Sequence, residues 1–154
     1  MAKKEEKKVD ETAKIDVAAI AAQQPKLKEY SKEELLSVFD TLIFQGEYTE
    51  EQTLRGKLKV MFRSRSADET MDISKSLDSM DFKLLSTMQE QRAFLNLTKS
   101  LTHYQGKDLE KLKVEDKLSF IKKLPTSILG ALADALAEFD RKVDLACREA
   151  DENF

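Results

Sequence analysis

Five cations crowd one short stretch of the chain, Arg55, Lys57, Lys59, Arg63 and Arg65, with Met61 filling the gap in the row. The even positions from 54 to 62 that alternate with this row are Leu54, Gly56, Leu58, Val60 and Phe62. Apolar and basic residues thus alternate with period two, as in a β-strand with one buried and one solvated face. A row of positive charge at that spacing can hold phosphates of a nucleic acid or carboxylates of an acidic protein patch. It lacks the interleaved aromatic residues on which single-strand binders stack bases. Glu47, Glu50 and Glu51 precede it and can balance its charge, so the first expectation is a solvated sheet face, ahead of an interface with an acidic partner and of nucleic acid.

Other reactive residues are sparse. His103 is the single histidine, which leaves no pair for a two-histidine metal site or a histidine-based triad within these residues. Beside Tyr104, it reads as a surface or capping residue at a helix end. Cys147 is the single cysteine, which excludes an internal disulfide or a cysteine cluster, and is expected to be a small, semi-buried thiol. The glycines stand apart at 46, 56, 106 and 130, so no phosphate-cradling loop forms. Asp68-Glu69 and Glu115-Asp116 sit where the first turns of helices favour negative charge. The expectation is a protein with no catalytic residues, cofactor, metal or small-molecule substrate.

The elements that must position the basic row are legible around it. With a three-residue turn Arg55-Gly56-Lys57, a hairpin over about 47–65 sets Leu54 against Leu58, Gln52 against Val60 and Glu50 against Phe62. Its other face sets Thr53 against Lys59, Thr49 against Arg63 and Glu47 against Arg65; a two-residue turn would shift this register. Ser31-Lys32-Glu33-Glu34 and Ser66-Ala67-Asp68-Glu69 are capping boxes that start helices before and after the hairpin, with Gly46 stopping the first. Met71, Ile73, Leu77 and Met80 are expected to point inward from the second. A longer helix is expected from Asp81 to His103, ended by Gly106, then an amphipathic stretch over 108–124 broken before Val114. After Pro125, Leu129, Leu132, Leu136, Phe139 and Val143 recur at alternating spacings of three and four. That narrow seam suits a helix packing on a bundle or on a partner.

Length and composition bound the rest. The chain has 154 residues, 41% of them hydrophobic and 36% charged, and a formal net charge of −3. This suits one helix-rich domain, and the charge is too small to imply nucleic acid as the partner. No apolar run approaches the ~20 residues that span a membrane. Residues 1–28, rich in Lys and Glu, read as a flexible charged arm, and the opening lacks the apolar core of a signal peptide. The expected fold is α+β, mostly α, with a β-hairpin packed on a bundle of about four to five helices, in a single domain over 29–154.

The run EYTEEQTLRGKLKVMFRSRSADE, a hairpin passing directly into a capped helix, and the later run LPTSILGALADALAEFDRKV resemble the tail assembly chaperones and small baseplate or tail proteins of tailed bacteriophages. The resemblance is one of pattern, over about residues 35–145. It implies a non-enzymatic assembly or structural role among other phage proteins, in an oligomer or larger particle. The setting it implies is the host cytoplasm during assembly, or the virion. The contact residues expected are Arg55, Lys57, Lys59, Met61, Arg63 and Arg65 of the hairpin and Leu129, Leu132, Leu136, Phe139 and Val143 of the seam, with strand addition at the hairpin edge as one route. A nucleic-acid-binding or regulatory protein using the basic face is the alternative.

Overall fold

The computed structural model of the chain describes residues 27–152; the arm expected over 1–28 lies outside them except for its last two residues. In chain order the elements are α1 (Lys32–Gln45), β1 (Thr49–Leu54), β2 (Leu58–Arg63), α2 (Ala67–Asp78), α3 (Leu85–Ser100), β3 (Leu101–Tyr104), β4 (Lys107–Asp108), α4 (Val114–Lys122) and α5 (Thr126–Glu152). The fold is α+β and mostly helical, as expected.

The hairpin adopts the three-residue register: Leu54 pairs with Leu58, Gln52 with Val60, Glu50 with Phe62 and Thr49 with Arg63. Its turn requires left-handed backbone at Arg55 (φ 52) and Gly56 (φ 73). Glycine takes that conformation freely, whereas Arg55 is held in it by the bond from Lys57 N–H to the Leu54 carbonyl at 3.1 Å.

The sheet is larger than a hairpin. It has four antiparallel strands in the order β1-β2-β3-β4, and the helix expected to reach His103 stops at Ser100. Leu101 continues the helical spacing from Leu97, which is why the pattern alone runs on. The backbone instead turns extended at Leu101 (φ −74, ψ 112). Gln105 (φ 50) and Gly106 (φ 80) then close a two-residue hairpin whose twist matches its strands. Between Met61 and Phe62 the β2–β3 register slips, a bulge that leaves Phe62 opposite Leu101 and Met61 opposite His103.

The underside of the sheet covers α5. Val60, Phe62, Leu97, Leu101, Leu109, Ile121, Leu132, Leu136 and Phe139 form one buried cluster. The seam of α5 therefore faces the chain's own sheet and helices. Phe139 stacks on Tyr48 at 5.7 Å and meets Phe62 at 5.9 Å. A second cluster, Leu35, Val38 and Ala146, seats α1 on the far half of α5.

Local signals hold with two exceptions. Ser66 and Glu69 form both halves of their capping box. Ser31 accepts from Glu34 N–H at 3.1 Å, but the Glu34 carboxylate turns to Lys142 at 2.9 Å, leaving that box half made. Ile73 and Leu77 are buried as expected, whereas Met71 and Met80 are exposed. Met71 lies on the outer side of α2 and Met80 just past its end, and no element covers either among the described residues.

Candidate interaction surface

The hairpin is fixed to the helical body by its charged residues as well as by its apolar underside. Lys142 of α5 is 5% exposed. Its ammonium donates to Glu50 of β1 at 2.6 Å and meets Glu34 of α1 at 2.9 Å. Tyr48 donates its hydroxyl to Glu50 at 3.1 Å. Burial alone would lower the Lys142 pKa, but the bonds to Glu50 and Glu34 outweigh it and hold the ammonium above the ordinary lysine range. Three elements thus meet on one cation. The hairpin pattern placed Glu50 against Phe62 but gave no sign of a lysine beneath it.

Two cations of the basic row are consumed in the same way. Arg63 forks onto the Glu69 carboxylate at 2.8 and 2.5 Å and reaches Glu110 at 3.6 Å. Glu110 in turn takes the buried Lys117 ammonium at 3.3 Å. Arg65 leaves the ladder altogether: it donates to Ser100 Oγ at 2.6 Å and to Asp140 at 2.7 Å. It therefore does not face Glu47 across the hairpin, because α3 and α5 offer it a hydroxyl and a carboxylate. Arg63 and Arg65, expected as partner contacts, thus serve as ties within the fold.

The fork on Glu69 has a consequence in acid. Hydrogen bonding from Arg63, helped by the Ser66 N–H and hydroxyl, holds the Glu69 pKa down at about 2 against an ordinary value of 4.5. A carboxyl depressed on folding contributes stability that is fully present above 4.5 and is lost as pH falls toward 2. Glu69→Gln is therefore expected to be less stable than the parent at neutral pH. Its stability should change less with pH below 4.5. Urea midpoints measured between pH 7 and 2 read both effects, and a variant with an unchanged acid limb would contradict them.

What remains exposed is the hairpin tip and outer face. Arg55, Lys57 and Lys59 are exposed, and Met61 is half-buried on the outer face between Glu51 and His103. His103 sits on β3 and not at a helix end; its Nδ1 lies 2.9 Å from Thr102 Oγ1 and its Nε2 4.0 Å from Asp108. Of the seam, Leu132, Leu136 and Phe139 are buried in the core, and Leu129 and Val143 pack against it. The first three, expected as partner contacts, are 0–3% exposed and serve the chain's own core. Leu129 borders an open, mainly apolar groove of about 340 Å³ between α3 and α5, with Ala93, Phe94, Leu97 and Ala133 and with Glu90 and Thr126 at its rim, and Leu136 lines a second groove between the same helices.

Several surface features were not legible in the sequence. Phe44 is 83% exposed at the end of α1 beside Ile43, and Leu84 and Leu85 are exposed where α2 gives way to α3. Their helical spacing resembles that of buried residues, and only the packed structure shows that nothing covers them among the described residues. Cys147 is exposed rather than semi-buried; partial desolvation, with Asp144 and Asp151 nearby, raises its thiol pKa. Among the described residues no group of His, Cys, Asp and Glu is arranged to hold a metal ion, and no helix is long and apolar enough to cross a membrane. Comparison of the chain with protein-family models, with curated proteins and with solved structures finds no match.

Proposed function

We propose that this chain is a tailed-bacteriophage assembly or structural protein that acts through protein–protein contacts, as a tail or baseplate component or a tail assembly chaperone. The observation that carries this reading is the hairpin itself. It is locked to the helical body from below by Lys142 and from its exit by Arg63 and Arg65. Its tip exposes the side chains of Arg55, Lys57 and Lys59, while the Lys59 backbone is bonded to Gln105. A strand pair held rigidly at the sheet edge is suited to docking, since little ordering is required on binding. The nucleic-acid alternative loses ground because two of its five cations are already paired to carboxylates.

The full chain, tagged and immobilised, should capture particle or morphogenesis proteins from a phage-infected lysate. Capture of nucleic acid with a steep salt dependence, and of no phage protein, would overturn the reading.

A further inference from the structure

The outer side of β1 is an open sheet edge, and the phase of the ladder identifies which backbone groups it offers. Ser64 N–H donates to the Tyr48 carbonyl at 2.8 Å, and Lys57 N–H to the Leu54 carbonyl at 3.1 Å. On the other phase of β2, the Lys59 carbonyl accepts from Gln105 N–H at 2.8 Å, toward β3. In an antiparallel pair these phases alternate residue by residue. Tyr48, Glu50, Gln52 and Leu54 therefore turn their backbone groups to β2, and Thr49, Glu51 and Thr53 turn theirs away from the sheet. Among the described residues nothing bonds to those outward groups, and all three residues are exposed.

Sheet edges are ordinarily blunted by proline, a bulge, brevity or a covering element. At the opposite edge β4 is only two residues long. β1 runs six residues without proline, and its register with β2 is unbroken. Its only guard is charge, and that charge is one-sided: Glu47, Glu50 and Glu51 lie along it with no Lys or Arg between Glu47 and Leu54. Glu50 is answered by Lys142, which leaves Glu51 on the outer face between Thr49 and Thr53. β2 shows what this face accepts on its occupied side, with Lys59 opposite Thr53 and Arg63 opposite Thr49. A second copy of β1 would bring its own acids against these and supply no cation, at a cost for every like-charged pair.

We infer that the β1 edge receives an extended, basic segment of a partner protein as a fifth strand, with a Lys or Arg of that segment opposite Glu51. The inference rests on the assembly reading and specifies its contact: main-chain bonds from Thr49, Glu51 and Thr53 supply affinity, and Glu51 selects for positive charge.

The test uses the full chain and a blocked nonapeptide of alternating lysine and valine, compared with one of alternating glutamate and valine. The lysine peptide should slow amide exchange about tenfold at Thr49, Glu51 and Thr53, and leave Glu50, Gln52 and Leu54 unchanged because they are already bonded to β2. Glu51→Pro removes an outward N–H and spares the ladder, so peptide protection should be lost with the thermal midpoint kept. Glu51→Lys leaves the backbone intact and should reverse the preference to the glutamate peptide. Equal protection by both peptides, no protection at these amides, or an Glu51→Lys variant that still prefers lysine would overturn the inference. So would amides already protected in the free chain, which would mean that the chain fills its own edge, or protection that rises with chain concentration alone, which would mean a second copy. Failure here with phage proteins still captured from lysate removes the edge and keeps the assembly role. Edge binding without such capture does the reverse.

Discussion

Replacing Phe139 with alanine is expected to lower folding stability by about 4 kcal/mol, the middle of the range for a buried aromatic. The ring is 1% exposed and joins parts that are distant in sequence. It stacks on Tyr48, ahead of β1, with planes 9° apart, and packs at a 43° tilt on Phe62 of β2. Removing it opens a cavity between the sheet and α5 that neither element can close alone, because each is also held by ion pairs that resist shifting. Urea denaturation should show a lower midpoint with an unchanged slope. Phe139→Leu, which keeps most of the volume, should cost about half as much. If Phe139 were instead a partner contact, alanine would leave the midpoint unchanged and weaken binding alone.

The second large effect is at Lys142. Its removal leaves Glu50 and Glu34 facing one another's charge without the cation between them, and Glu50 is only 24% exposed at its side chain. Breaking a buried pair from one side costs about 3–5 kcal/mol. The partial exposure of both carboxylates places Lys142→Ala at about the lower end of that range. The pair's net worth is smaller than this cost, so Lys142→Met combined with Glu50→Gln should recover a large part of the loss. A double-mutant cycle on Lys142 and Glu50 reads this as non-additivity. Additive losses would mean that the contact carries no coupling and that Lys142 acts through its other contacts, among them its ammonium over the Tyr30 and Tyr48 rings at 5.1 and 5.8 Å.

The hairpin register could be read from residues because every determinant is local: the alternation from Leu54 to Phe62 and a turn with Gly56 in left-handed backbone. The same holds for the Ser66 cap, whose partner is three positions along. Strand β3 was not legible, since Leu97 and Leu101 keep helical spacing. The contrary signals were Thr102 and Tyr104, which favour strands, and a Gln105-Gly106 pair suited to a tight hairpin. The fate of the basic row was not legible for a different reason. Arg63, Arg65 and Lys59 look alike on one strand face. What separates them is Glu69, Glu110, Asp140 and Ser100 elsewhere in the chain, all but Glu69 brought close only by the fold. The seam on α5 illustrates the general limit: spacing identifies an apolar stripe, but only the packed structure shows that it faces the chain's own sheet.

Under the proposed function the contact surface is the hairpin tip and the free side of β1, and that reading is most directly tested there. A photo-crosslinking side chain placed at Lys57, at the exposed tip, and in a separate variant at Thr53, on the open edge, would be carried by the full chain in phage-infected cells. Mass spectrometry of the crosslinked products should identify phage particle or morphogenesis proteins at both positions, with far fewer at an exposed control position such as Glu115 on α4. Crosslinks to nucleic acid in place of protein, or equal labelling at all three positions, would contradict a protein that works by contact at its hairpin.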